Sequence, residues 1–96
     1  MTVMVIRLAS SEDIIGDVSA GEGALVIKNP MVIMSRHDPE TQQMKVGMMP
    51  FAPFSASESV QIYPHAVMAD YEPQRDLLNE YNRMFGSGIV IANQMP

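Results

Sequence analysis

Cysteine is absent from the 96-residue chain. Its absence excludes disulfides, thiolate zinc sites and thiol catalysis, and it is typical of a cytoplasmic protein. A domain of this size buries only about 60–65% of its unfolded surface, so its stability is modest unless subunits associate. We therefore expect one domain that forms an oligomer.

Long hydrophobic runs are also missing. The longest, residues 31–34 and 89–92, are far short of the roughly 20 residues needed to cross a bilayer. The amino terminus shows no basic region followed by an apolar one, as a signal peptide would. The sequence predicts no membrane partner and no targeting segment.

Basic residues are scarce. Six Lys and Arg stand against eleven Asp and Glu, and the net charge is −5. This is the wrong sign for a protein that coats a phosphate backbone over its whole surface, although a focused site in a pore or on one face is compatible with it. The ten Met residues indicate adaptable packing rather than metal ligands.

Strand-like segments separated by turn signals occupy the first 70 residues or so. Gly16 predicts a bend or a close backbone approach, Asn29-Pro30 predicts a bulge or edge position, and residues 36–41 predict a turn. In the following proline-rich loop we expect Phe51 and Phe54 to pack onto the sheet. The predicted strands are residues 2–8, 14–20, 24–34, 43–49, 60–62 and 66–69.

The hydrophobic period changes near Pro73. An apolar stripe at helical spacing predicts a helix over residues 73–85, with Pro73 in its first turn and Gly86 after its end. Residues 88–92 are strand-like and are expected to add to a sheet edge. We divide the domain into residues 1–72, the β portion, and 73–96, the helix and tail packed on it.

Two stretches resemble the motifs of the Sm-like family. Val-Ile-Arg-Leu at positions 5–8, followed by Gly16 and Val18, is similar to the first Sm motif, with its bent second strand. Glu22 stands where Sm proteins usually have Asp, and Val26 where they have the Asn that recognises a base. The residue best known for RNA contact is therefore missing.

Residues 60–67 resemble the second Sm motif. Tyr63-Pro64-His65-Ala66 is similar to the Tyr-Lys-His-Ala of the bacterial Hfq branch, with Pro64 in place of the cation. The resemblance implies an all-β to α+β fold, namely a strongly bent, SH3-type, five-stranded barrel, here with a carboxy-terminal helix. It also implies a ring of about five to seven copies. The acidic, Met-rich character is similar to that of Sm-like proteins of marine phages, for which the compartment would be the host cytoplasm.

Each candidate site residue has a plainer interpretation. Tyr63 could stack on a base or pack between subunits, and His65 could contact a ligand or cap a turn. Lys28, Arg36 and Lys45 could contact phosphate or form a solvated face. His37, Asp38 and Glu40 fit a solvated hairpin tip better than a metal cluster. The predicted nucleic-acid-binding residues are Tyr63, His65, Lys28, Arg36 and Lys45.

Two hypotheses about function follow. The first is an Sm-like homo-oligomeric ring that binds single-stranded nucleic acid, with RNA as the first choice of ligand and DNA as the second, and that has a role in RNA or DNA processing. The second is a structural or adaptor ring of a phage particle or protein complex that binds no nucleic acid. No acid, base and nucleophile converge in the sequence, so we expect neither catalysis nor a cofactor or metal.

Overall fold

Six strands, one short 3₁₀-helix and one α-helix make up the protein in a computed structural model that describes residues 2–85. The expected strand-like tail at 88–92 lies outside the described residues. The strands are β1 (Thr2–Leu8), β2 (Asp13–Ala20), β3 (Leu25–Asp38), β4 (Gln43–Pro50), β5 (Ser59–Ile62) and β6 (Val67–Tyr71). The 3₁₀-helix (Pro64–Ala66) joins β5 to β6, and the α-helix is α1 (Arg75–Phe85).

The strands form one antiparallel sheet in the order β4-β3-β2-β1-β6, with β5 also paired to β3. The succession of strands followed by one carboxy-terminal helix confirms the predicted α+β character. The sheet has six strands rather than five, because β4 and β5 pair separately with the two halves of β3. No helix among residues 2–85 has both the length and the apolar character that crossing a membrane requires.

Strand β3 changes partner at Asn29. Residues 25–28 pair with β5 and residues 31–38 pair with β4. At the junction Asn29 has a positive φ of 52°, and Pro30 follows it. The predicted bulge is confirmed, but the prediction of a turn over residues 36–41 is wrong at its start. Arg36, His37 and Asp38 continue the strand because β4 supplies their pairing partners, and the turn itself covers residues 39–42.

Gly16 of β2 lies beside the point at which β3 changes partner. The β2–β3 register passes from Ile15 opposite Met31 to Asp17 opposite Lys28, so Gly16 stands at an irregularity in the ladder. A Cβ at Gly16 would lie 3.2 Å from the backbone oxygen of Lys28 and 3.4 Å from Cα of Pro30, and it would clash with Cγ2 of Ile27 at 2.3 Å. The expected close backbone approach is confirmed.

Both faces of the central strands are buried. One face contributes to a cluster that we call the sheet core, formed by Ile6, Leu8, Ile14, Ile27 and Ile62. The opposite face contributes to the helix-side core, formed by Val5, Ile15, Met31 and Tyr81. Consecutive residues of β1 and β2, Val5–Ile6 and Ile14–Ile15, therefore enter different cores, which explains why apolar residues are adjacent there instead of alternating with polar ones. Because β5 and β1 meet in the sheet core although two strands separate them, the sheet curves around it.

Helix α1 is attached to the sheet through Tyr81. This residue is 3% exposed, and its hydroxyl donates to the backbone carbonyls of Lys28, at 3.0 Å, and Asn29, at 2.9 Å. The helix begins at Arg75, two residues later than predicted. Pro73 precedes it, and the Gln74 carbonyl accepts the N–H of Leu78 in its first turn. The predicted packing of Phe51 is confirmed by its contact with the sheet core. The prediction for Phe54 is wrong, because its side chain is 99% exposed.

Candidate nucleic-acid interface

The turn between β5 and β6 has a well-defined backbone. Tyr63 is extended, with φ −85° and ψ 150°, and Pro64 begins the 3₁₀-helix. The Ala66 N–H donates to the Tyr63 carbonyl at 2.9 Å, and the Ala66 carbonyl accepts the N–H of Ala9 at 2.8 Å. The proline limits φ within the turn, and the second hydrogen bond attaches the turn to the end of β1.

Tyr63 and His65 lie side by side on this turn. Their ring centroids are 6.4 Å apart and their planes differ by 10°. Both side chains are exposed, and the Tyr63 hydroxyl donates to Oε1 of Gln61 at 3.0 Å. Two nearly parallel rings held at the surface form a π face on which a nucleobase can stack, an interaction worth about 1–3 kcal/mol per base. We call Tyr63 and His65 the ring pair.

Arg36 and Lys45 form a second group on the β3–β4 hairpin, where they are directly opposite in the strand register. Like charges in that arrangement repel each other. The Lys45 ammonium lies 3.5 Å from Oδ2 of Asp38, while Arg36 makes no ion pair within residues 2–85. An open groove of about 360 Å³ is lined here by Arg36, His37, Asp38, Pro39 and Lys45.

Lys28 lies in the half of β3 that pairs with β5, whereas Arg36 and Lys45 lie where β3 pairs with β4. It stands opposite Ser59 of β5, and its Nζ lies 3.6 Å from Oε2 of Glu58. Lys28 therefore lies on the same strand as Arg36 but beside β5 rather than β4. The cause is the change of partner at Asn29, which places the two halves of β3 beside different strands.

The carboxylates beside the cations affect what this surface can bind. The backbone N–H of Glu40 donates to Oδ1 of Asp38 at 3.0 Å and, as the largest cause, holds the pKa of Asp38 below its ordinary value. Asp38 is thus a carboxylate at neutral pH and competes with phosphate for Lys45. Exposed ion pairs of this kind contribute little to stability, so a phosphate could replace the carboxylate at small cost.

Sequence reasoning named the two residues of the ring pair but missed Gln61, which accepts a hydrogen bond from Tyr63, and Glu58, which pairs with Lys28. Gln61 precedes Tyr63 by two residues, so strand periodicity places both side chains on the same face, and this signal was available. The pairing of Lys28 with Glu58 depends on the register between β3 and β5, for which the sequence offers no local signal.

Neither a metal site nor a match to a known protein assigns a further role to these residues. Within residues 2–85, no three His, Asp or Glu side chains are grouped so that they could hold a metal ion. No protein-family model matches the chain, and no curated protein matches it.

Proposed function

We propose that this chain is an Sm-like protein that forms a homo-oligomeric ring and binds single-stranded nucleic acid, with RNA as the first choice of ligand and DNA as the second, without catalysis. The observation that carries the proposal is the ring pair, which presents two nearly parallel, exposed rings at the turn that resembles the Hfq motif. A ring repeats this weak stacking site around its axis, so several contacts act together on one strand.

The architecture supports the Sm-like part of the proposal. The sheet runs as an antiparallel meander whose last strand, β6, returns to pair with β1. Gly16 lies at the irregularity of β2, where the first Sm motif has its bend. A short 3₁₀-helix separates β5 from β6, and these are the segments that resemble the second motif.

The free edges of the sheet support assembly. Within the described residues, β5 pairs only with β3, and β6 pairs only with β1, so each strand has one unpaired edge. Unpaired edges are templates for another strand. A closed ring of about five to seven subunits would pair them. Multi-angle light scattering at micromolar concentration tests this, and a monomer at every concentration would contradict it.

Binding is tested by fluorescence anisotropy with labelled oligo(U), oligo(A) and oligo(dT) at low salt. We expect Tyr63→Ala and His65→Ala to weaken binding by about fivefold or more per ring face removed. Tyr63→Phe keeps the ring and should retain most of the affinity. Phe54→Ala is a matched control, since it removes an aromatic ring that is 99% exposed and lies in the loop between β4 and β5.

A salt titration tests whether phosphate contacts accompany stacking. Such contacts should weaken with added salt. Light scattering on each variant shows whether it still assembles.

The alternative is a structural or adaptor ring of a phage particle or protein complex. The net charge of −5 favours it, because an acidic surface repels a phosphate backbone. A protein that assembles into a ring but binds none of the oligonucleotides at low salt would establish this alternative over nucleic-acid binding.

A further inference from the structure

A groove of about 410 Å³ separates helix α1 from the outer part of the β3–β4 hairpin. None of its lining residues belongs to the β5–β6 turn that carries the ring pair. Its floor is apolar and its rim along the helix is polar. The groove is lined by Ile33, Val46, Met48, Gln74, Asp76, Leu77 and Glu80.

The floor continues the helix-side core outward. Ile33, Met48 and Leu77 are half-buried and pack against that core. On β4 the same face continues at every second residue, and there Val46 is 56% exposed and Met44 is 60% exposed. An apolar strip thus runs from the core toward the hairpin tip, and residues 2–85 leave its outer part uncovered. Large exposed apolar strips bordered by polar residues mark binding surfaces.

The rim of the groove along α1 carries negatively charged side chains. Asp76 and Glu80 are four residues apart on α1 and therefore lie on the same side of the helix, beside the groove. Glu80 forms an ion pair with Arg83, whereas Asp76 forms none within the described part of the chain. Carboxylates beside an apolar floor favour an occupant that combines apolar side chains with cations.

This charge distinguishes among the occupants. The chain's own segment 86–96 contains no charged residue, so it cannot match the rim electrostatically. A second copy offers few cations to the rim, because it has six Lys and Arg and four of them, Arg7, Lys28, Lys45 and Arg83, are paired with carboxylates. We propose that the groove binds a segment of another protein in which apolar side chains are combined with Lys or Arg.

The test uses the full chain and two labelled synthetic peptides of equal length, one of alternating leucine and lysine and the other of alternating leucine and glutamate. We expect the lysine peptide to bind and the glutamate peptide to bind at least about tenfold more weakly, because its charge has the sign of the rim. Raising the salt to about 0.5 M should weaken the lysine peptide, since exposed charges are then screened.

Two variants in the groove and two control variants outside it show where the lysine peptide binds. Val46→Thr makes the floor polar, and Asp76→Asn removes a rim charge. Each should weaken the lysine peptide about threefold to fivefold. Met34→Thr changes a comparably exposed apolar residue on the other face of the hairpin, and Glu40→Gln removes a charge from the hairpin turn. Both controls should bind like the wild type, and their circular dichroism should match it.

Other results would overturn the proposal. Equal affinity for the two peptides, equal losses in the controls, or no binding at low salt would each contradict a basic apolar partner. Displacement of the lysine peptide by a synthetic peptide of residues 86–96 would assign the groove to the chain's own tail. An oligomer that dissociates in Val46→Thr would assign it to a second copy.

Discussion

The Tyr71 hydroxyl donates a hydrogen bond to Oδ2 of Asp13 at 3.0 Å, across 58 positions of sequence. Asp13 also accepts two hydrogen bonds from the guanidinium of Arg7, from Nε at 2.7 Å and from Nη2 at 3.0 Å. These three residues belong to β6, β2 and β1. The carboxylate therefore connects the last strand of the sheet to the first two.

We expect Tyr71→Phe to lower the free energy of unfolding by about 1 kcal/mol, since it removes one hydrogen bond to a charged acceptor and leaves the ring in place. Urea denaturation followed by circular dichroism measures the change. Tyr63→Phe is the matched control, because its hydroxyl bonds only to the exposed side chain of Gln61. A loss of equal size in the control would contradict a specific role for the Tyr71 bond.

Stability should depend on pH through Asp13. The hydrogen bonds from Arg7, the largest cause, and from Tyr71 hold the pKa of Asp13 below its ordinary value of 3.8, against the opposing effect of partial burial. The ionised carboxyl thus stabilises the folded state above about pH 4, and this contribution is lost as the pH falls through the lowered folded pKa.

Asp13→Asn should therefore reduce the acid dependence of the free energy of unfolding, measured by urea denaturation at a series of pH values. Part of the dependence should persist, because the pKa of Asp38 is lowered as well. The carboxyl-carbon NMR titration of Asp13 gives the shift directly. A titration midpoint at or above the ordinary value would refute the explanation.

Replacing Gly16 by alanine should destabilise the protein by about 1–3 kcal/mol, the usual cost of overpacking. The new Cβ would lie 2.3 Å from the Ile27 side chain and 3.2 Å from the Lys28 carbonyl oxygen. Gly47→Ala is the control, since its Cβ would meet no atom within 4 Å. Thermal unfolding of the two variants should differ clearly, and equal melting temperatures would show that β2 can move away from β3.

Tyr81→Phe should lower the free energy of unfolding by about 1–3 kcal/mol, because two backbone carbonyls beneath the helix lose their donor. Burial, the largest cause, raises the pKa of Tyr81 to about 12. The neutral hydroxyl thus contributes fully below pH 10, and its contribution is lost as the pH rises through about 12. In an ultraviolet titration of tyrosinate, the component with a midpoint near pH 12 should be absent from Tyr81→Phe, whereas the raised pKa of Tyr71 should remain.

Local sequence signals determined the existence and order of the elements. Turn residues separate segments of β-branched and apolar residues, and the apolar period changes before α1, so the strands and the helix follow from short-range preferences. The bulge at Asn29-Pro30 and the close approach at Gly16 were predictable for the same reason. Proline lacks a donor and glycine lacks a side chain wherever they occur.

Tertiary structure decided which residues meet. The sequence places Tyr63 and His65 two residues apart, but only the folded turn shows that their ring centroids are 6.4 Å apart and that the ring planes are nearly parallel. Lys28 is separated from Arg36 because β3 changes partner between them. Pairing between distant strands sets such neighbours, and a single sequence contains no local measure of it.

The sequence by itself determined the acidic charge, the absence of thiol chemistry, and the strand and helix segments, because composition and periodicity are local properties. Only the folded chain decided that the central strands are buried on both faces, that Phe54 is exposed, and that Asp13 joins three strands. Each of these depends on which surfaces cover one another, and that choice is made by the packing of the whole domain.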